Sequence, residues 1–141
     1  MKQELQSLID RTHLNDRIRL VGKLNSESLS TLYAESHALC IPSIDDPLPT
    51  VVLEAMSYCL PVIGTDCDGI PFMLADKKTG IIVPKGSAEA FSRAIETLYQ
   101  SPELCRAYGI AARNRLESDF ELGRVSQRLA ERISEAILVQ K

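Results

Sequence analysis

The stretch Pro42–Met56 reads PSIDDPLPTVVLEAM, and the arrangement of the whole chain can be worked out from it. An apolar run at 38–41, typical of a short buried strand, precedes it. A loop rich in turn residues follows, and then a second apolar run at 50–58. The second run has a helical composition and comes after proline, which suits the first turn of a helix. Because almost every side of this helix is apolar, we predict that it is buried.

Glu54 is the only charged residue in this predicted helix. A carboxylate on a buried helix needs hydrogen-bond donors, because an unpaired buried charge is very costly. An internal basic or backbone partner is one source of donors. A ligand at the open end of the helix is another, and the helix sequence alone leaves both alternatives open.

The surrounding motifs, taken in order, resemble the C-terminal half of the group 1 glycosyltransferases. The series runs from PS through a short acidic loop to LEAM, and continues with LPVIGTD at 60–66 and DGIP at 68–71. TGIIV at 79–83 matches the next strand of that family. The similarity extends from about Arg17 to the C-terminus.

This resemblance implies a retaining enzyme of the two-domain GT-B architecture that transfers a hexosyl group to a glycan or another acceptor. The donor is expected to be a UDP-, GDP- or ADP-sugar, with no other cofactor and no metal. The family's two acidic residues, separated by seven others, correspond here to Asp46 and Glu54. By resemblance, Glu54 accepts hydrogen bonds from the ribose hydroxyls and Asp46 faces the sugar. For Asp46, a role in a turn or as a helix cap is the alternative.

The start of the predicted helix suits the diphosphate of such a donor, since free amides and the positive end of the helix dipole point into the loop. Pro47 and Pro49 lack N–H groups. The available amides are those of Leu48, Thr50 and Val51. By resemblance, the base packs near three further residues, which are Gly22, Lys23 and Leu24.

The sequence also departs from the family pattern. Cys59 stands where glycine is common, and Phe72 where a carboxylate is frequent. The family's phosphate-binding arginine and lysine belong to a motif upstream of Arg17, which this chain is expected to lack. Residues 1–141 are therefore expected to form one incomplete domain, without the acceptor domain and the first strands, and to be inactive alone.

Strands and helices alternate along the chain, which implies a Rossmann-like, doubly wound parallel α/β sheet, the truncated C-terminal half of a GT-B fold. Ligands of such sheets bind outside the carboxyl ends of the strands. The predicted strands are 17–22, 38–42, 61–65 and 80–83. The predicted helices are 2–14, one capped by Ser26 with Leu29, Leu32 and Tyr33 as its apolar residues, 50–58, 70–76, one capped by Ser87, one starting at Ser101–Pro102, and 121–139. The last helix carries an apolar stripe at spacings of three and four, which consists of Leu122, Val125, Leu129, Ile133 and Ile137.

Composition excludes several classes of protein. A net charge of −3 and a pI near 5.4 give no reason to expect nucleic acid as a partner. No apolar run approaches the roughly 20 residues of a membrane span. The four cysteines show no disulfide or zinc spacing, so we expect a reduced, cytoplasmic protein. Cys40 and Cys59 are predicted to be packing thiols, and Cys67 a loop residue.

Other functions fit the same pattern. The chain is expected to bind a nucleotide sugar in polysaccharide biosynthesis, together with an acceptor-domain partner chain or as a homo-oligomer. The alternatives are a non-catalytic Rossmann-like interaction subunit, a truncated remnant, or a small nucleotide-binding protein related to epimerases. The dinucleotide fingerprint G-x-G-x-x-G is absent from the sequence, which disfavours the dinucleotide version of the last alternative.

Overall fold

The computed structural model describes residues 2–139, and their side chains as far as residue 135. The chain divides into two compact units at the boundary between Leu32 and Tyr33. The first unit contains helix α1, Lys2–Arg11, and most of helix α2, Ser26–Glu35. The second unit contains the sheet and the remaining helices.

The strand expected at 17–22 is wrong. The amides of Arg17 and Ile18 both donate to the carbonyl of Leu14 at 2.9 Å, which curves the chain into a turn. An extended segment becomes a strand only when a neighbour accepts its backbone hydrogen bonds, and the described residues of the first unit contain no strand. Helix α1 is also shorter than expected, because His13 takes a left-handed φ of 55°.

The sheet of the second unit is parallel, as expected, and has three strands in the order β1-β2-β3. They are β1, Leu39–Ile41, β2, Val62–Thr65, and β3, Gly80–Val83. Leu39 pairs with Val62, and Val62 with Gly80. Because all three strands run in one direction, the loops that follow them leave the same edge of the sheet.

The helices of the second unit agree with the predicted elements, except that the helix expected at 70–76 ends at Met73, because Leu74 is extended with a ψ of 147°. They are α3, Thr50–Ser57, α4, Ile70–Met73, α5, Ala88–Gln100, α6, Pro102–Arg115, and α7, Leu122–Val139, with an unforeseen π-helix at Leu116–Phe120. The side chain of Ser87 accepts a hydrogen bond from the Ala90 amide, so the predicted cap of α5 is confirmed. Ser101, predicted only as the start of α6, also caps its helix by accepting a hydrogen bond from the Leu104 amide. The cap expected at Ser26 is wrong, because Oδ1 of Asn25 accepts the hydrogen bond from the Ser28 amide at the start of α2. No helix in residues 2–139 has the length and apolar character needed to cross a membrane.

Adjacent residues of β2 contact different helices. Ile63 packs with Ala94 and Leu98 of α5, whereas Gly64 lies against Ile70 of α4. Successive residues of a strand point to opposite faces, so helices cover both faces of the sheet at β2. This confirms the doubly wound arrangement.

The cysteines are distributed differently from the prediction. Cys40 and Cys59 are exposed, whereas Cys67 is fully buried. Cys40 alternates with the buried Ile41 along β1 and therefore points to the other face. Cys59 lies just beyond the end of α3. The expectation that Cys40 and Cys59 are packing thiols is wrong.

Candidate functional site

Helix α3 has one buried and one exposed face, so the expectation of a helix buried all round is wrong. The buried residues are Val52, Ala55 and Met56. The exposed residues include Thr50, Val51 and Glu54. Positions three and four apart share a helix face, which places these last three side chains together on the open side. Two of the predicted donor-binding positions thus lie on the same face as Glu54.

Glu54 is the fifth residue of α3, and its side chain is exposed. Its Oε2 accepts a hydrogen bond from the Tyr33 hydroxyl at 3.1 Å. Among residues 2–135 it forms no ion pair. The carboxylate therefore has an internal partner that is neutral, and it stays accessible to a ligand.

The start of α3 is open. The residue before it is Pro49, and no side chain caps the helix. In the part of the chain that the structure describes, the amides of Leu48, Thr50 and Val51 donate to no protein acceptor. Asp46 therefore does not act as the helix cap, and the first turn of α3 presents free N–H groups to the loop.

Asp46 lies in the loop between β1 and α3, and its side chain is half-buried. Its amide donates to Oδ2 of Asp68 at 3.3 Å, and the thiol of Cys67 donates to the same oxygen at 3.3 Å. The thiol and the amide hold the pKa of Asp68 below its usual value, because both hydrogen bonds favour the carboxylate. Burial raises the pKa of Cys67, and its bond to Asp68 raises it further.

The loops that leave the three strands are tied to one another at this edge. The Thr65 hydroxyl donates to the Ser43 carbonyl at 2.6 Å, joining the loops after β2 and β1. The amide of Lys85 donates to Asp66 at 2.7 Å, joining the loops after β3 and β2. These bonds hold Asp46 and the start of α3 at the carboxyl edge of the sheet.

Gly69 is the closest point between two of these loops. A Cβ atom at Gly69 would lie 2.0 Å from the Pro47 carbonyl oxygen, so this position requires glycine. The loop that carries Asp46 therefore rests directly on the backbone of the loop after β2.

Gly22, Lys23 and Leu24 belong to the first unit, where they lie outside helices and strands. Gly22 has a φ of 68°, which glycine adopts readily, and the side chain of Lys23 is exposed. Their predicted contact with a base stays a prediction.

Two arginines of α6 hold the far ends of the helices beside the site. Arg113 donates from Nη1 to the Ser57 carbonyl at the end of α3, at 2.7 Å. Arg115 donates to the carbonyls of Phe72 and Met73 at the end of α4, both at 2.9 Å. Charged donors at helix C-termini satisfy free carbonyls and match the helix dipole. Helix α6 thereby fixes α3 and α4 on the side away from the open loop.

Sequence reasoning missed two residues of this region. Tyr33 was assigned to an apolar helix face, although a buried tyrosine hydroxyl usually has a hydrogen-bond partner, and the lone charge at Glu54 was available to be matched with it. Asp68 was considered only within a turn motif, and no local pattern indicates that it bonds to Asp46. Among the described residues, no three or more His, Cys, Asp or Glu side chains are grouped to hold a metal ion.

Known proteins resemble most of the chain. The amylovoran biosynthesis glycosyltransferase AmsK of Erwinia amylovora is 26% identical over 137 residues, which are 93% of this chain and 34% of that protein. Sucrose-phosphate synthase from Thermosynechococcus elongatus superimposes with a TM-score of 0.83 at 26% identity, over 97% of this chain and 34% of that one.

A third similarity concerns the fold alone. HepE of Anabaena, solved in complex with UDP, superimposes with a TM-score of 0.84 at 21% identity, over 94% of this chain and 36% of that one. The present chain therefore spans about a third of the length of each of these three proteins. The sequence profile described as "Glycosyl transferases group 1" matches residues 1–115, and the chain belongs to that family.

Proposed function

We propose that this chain is the nucleotide-sugar-binding part of a retaining glycosyltransferase, which moves a hexosyl group to a glycan or another acceptor. One observation carries the proposal. In a member of the group 1 family, an exposed carboxylate, Glu54, lies one turn inside a helix whose first amides are free at the carboxyl edge of a parallel sheet. Ligands of open α/β sheets bind at this edge.

Glu54 binds the ribose of the donor in this proposal. Two neighbouring hydroxyls of a ribose can both donate to one carboxylate, and charged acceptors make strong hydrogen bonds. The Tyr33 bond leaves Oε1 and a second lone pair of Oε2 for those hydroxyls.

The diphosphate lies at the start of α3, against the free amides of Leu48, Thr50 and Val51. Negative charge grows on the departing diphosphate during transfer, and preorganised N–H donors stabilise it there. Asp46 then faces the hydroxyls of the sugar, with its backbone held by Asp68. A nucleotide base beside Gly22, Lys23 and Leu24 rests on the family resemblance. UDP is the first nucleotide to test, because HepE was solved with it, and GDP and ADP follow.

Transfer also needs an acceptor site, and we propose that another domain supplies it. The relatives are about three times as long as this chain. The stripe predicted on α7 supports a partner, because its described members are between 42% and 77% exposed; they are Leu122, Val125, Leu129 and Ile133. The fifth predicted member, Ile137, lies outside the residues whose side chains are described. An acceptor-domain chain or a second copy of this chain would cover such a stripe.

The cellular setting follows from the same proposal. We propose a cytoplasmic location, because all four cysteines are free thiols and the cytoplasm keeps thiols reduced. A nucleotide-sugar donor agrees with this location. AmsK acts in amylovoran biosynthesis by its name, and we place this chain in polysaccharide biosynthesis on that similarity.

A non-catalytic interaction subunit, or a truncated remnant, is the second candidate. The α7 stripe favours it, since a partner can bind there whether or not a donor binds at α3. The two candidates differ in one measurable property, which is the affinity for nucleoside diphosphates.

Titration of the 141-residue chain with UDP, GDP and ADP, followed by its melting temperature, tests the proposal. We expect a dissociation constant in the millimolar range, about 1 mM, because few polar contacts offset the cost of association. A nucleotide at ten times that concentration then stabilises the fold by about 1.4 kcal/mol, or about 5 °C.

Glu54→Ala removes this shift, whereas Glu96→Ala, an exposed change on α5, keeps it. We expect no sugar transfer by the isolated chain, since positioning of the acceptor contributes several orders of magnitude in rate. A melting temperature that none of the three nucleotides changes would leave the interaction subunit as the better description.

A further inference from the structure

Tyr33 is held in place from two sides. Its side chain is only 8% exposed, and its ring stacks on that of Tyr58, with centroids 5.4 Å apart and planes 24° from parallel. Its hydroxyl donates to Oε2 of Glu54 at 3.1 Å. A ring fixed by burial and stacking has few rotamers, so the hydroxyl occupies a defined position.

The side chain of Glu54 has more conformational freedom than that of Tyr33. Its side chain is exposed on α3, and an exposed glutamate ordinarily samples several rotamers. Fixing such a side chain costs conformational entropy. A ligand that uses the carboxylate must overcome this cost, unless the protein has already restricted the side chain.

The hydroxyl remains a hydrogen-bond donor at every ordinary pH. Burial raises the pKa of Tyr33 to about 12, and the hydrogen bond to Glu54 and the negative charge of that residue raise it in the same direction. The proton therefore stays on the tyrosine, and the remaining lone pairs of the Glu54 oxygens are left for a ligand.

We propose that Tyr33 is a positioning residue, which holds the Glu54 carboxylate so that both oxygens meet the two hydroxyls of a ribose. The inference rests on the proposed function, since it assigns a specificity to the same site. The positioning role explains how the site would discriminate between a ribose and a sugar that lacks the two neighbouring hydroxyls. A purely structural role for Tyr33, in which Glu54 only satisfies its buried hydroxyl, gives no such discrimination.

Tyr33→Phe is the sharpest test, because it removes the hydroxyl and keeps the buried, stacked ring. The probes are UDP and 2′,3′-dideoxyuridine 5′-diphosphate, titrated by nuclear magnetic resonance, which follows millimolar affinities. We expect Tyr33→Phe to weaken UDP binding about 3- to 10-fold and to leave the dideoxy analogue unchanged. Tyr58→Phe, which keeps the stacking and removes a different hydroxyl, is the matched control and leaves both affinities unchanged.

A double-mutant cycle separates this inference from the proposed function. Glu54→Ala weakens UDP binding, and adding Tyr33→Phe to it has no further effect, because the two residues act through one contact. If Glu54→Ala weakens UDP binding and Tyr33→Phe does not, the positioning role is wrong and the proposed site stands. Equal weakening of both probes by Tyr33→Phe also overturns the positioning role. If Glu54→Ala has no effect, the proposed site itself is wrong.

Discussion

The two ends of α3 are built in opposite ways. At its C-terminal end, the Ser57 carbonyl is bound by Arg113, and the Cys59 carbonyl lies against Gly109 of α6. At its N-terminal end, no side chain caps the helix, and the preceding loop rests on Gly69. Local stability is low where backbone hydrogen bonds are few and exposed, so the difference separates an anchored end from an open end.

This separation suits a binding helix. An anchored end fixes the direction of the dipole, and an open end offers the amides that a negatively charged ligand requires. Substitutions at the anchored end should therefore change the free energy of unfolding and leave nucleotide affinity unchanged. Substitutions on the open face should do the reverse.

The largest effect is expected at Gly109. A Cβ atom there would lie 2.0 Å from the Cys59 carbonyl oxygen, which is backbone and cannot rotate away. We expect Gly109→Ala to lower the free energy of unfolding by about 3 kcal/mol, because overpacking forces α3 and α6 apart. Urea unfolding followed by circular dichroism measures the change.

Gly123→Ala is the matched control for this substitution. Gly123 lies in the first turn of α7, where the nearest atom to an added Cβ is Oε2 of the Glu121 side chain at 3.1 Å. This side chain caps α7 by accepting hydrogen bonds from the amides of Gly123 and Arg124, and a shift of a few tenths of an ångström relieves the contact without breaking them. The better helix propensity of alanine should then stabilise the protein by up to about 1 kcal/mol. Equal free energies for the Gly109→Ala variant and the natural protein would mean that α6 does not anchor α3.

The next largest effect is a dependence of the free energy of unfolding on pH. It is expected for the contact between Tyr33 and α3, whereas the contact of Gly109 with the anchored end of α3 contains no titrating group. The pKa of Tyr33 is about 12 in the folded protein, against an ordinary value of 10.0. The contribution of Tyr33 to the free energy of unfolding is complete below pH 10. It is lost as the pH rises from 10 to 12, because the tyrosine loses its proton in the unfolded state before it does so in the folded state. The Glu54 carboxylate is exposed, so solvent screens part of this interaction and the stability lost is smaller than the two-unit difference implies, about 1–2 kcal/mol.

The natural protein and Tyr33→Phe should be unfolded by urea at several pH values between 9 and 12. The natural protein should lose its advantage over the variant within this range, and comparing the two cancels the titration of lysines and of the other tyrosines. A stability difference that stays constant from pH 9 to pH 12 would show that Tyr33 titrates normally.

Sequence alone predicted the elements whose limits are set locally. Strand β3 was predicted residue for residue, because Gly80 and Pro84 bound its apolar run. The serine cap of α5 and the proline at the start of α6 were predicted for the same reason. Residues 17–22 have the alternation of a strand, yet a strand depends on a neighbour, and no local pattern shows whether one is present.

The residues of the candidate site also fall into two groups, those that local sequence predicts and those that depend on tertiary contacts. Glu54 stood out as a single charge in an apolar helix, and the amides of the first turn followed from the position of Pro49. Tyr33 lies 21 residues before Glu54, and Asp68 lies 22 residues after Asp46, so both contacts depend on how the chain folds back. Pairing of this kind is a tertiary property that neither periodicity nor spacing contains.

The smallest effect is expected at Cys59, where the family commonly has glycine. Cys59 has a φ of 57°, a left-handed conformation that costs a residue with a Cβ about 1–2 kcal/mol. Glycine avoids this strain but increases the entropy of the unfolded chain, which costs about 0.5–1 kcal/mol. Cys59→Gly should therefore stabilise the protein by about 0.5–1 kcal/mol. Cys40→Gly, at an exposed position of β1 without positive φ, should destabilise it by a similar amount, about 0.5–1 kcal/mol. Opposite signs in urea unfolding, with UDP affinity unchanged in both variants, would show that the strain belongs to the anchored end of α3. Destabilisation by Cys59→Gly would mean that the thiol makes up for the strained backbone.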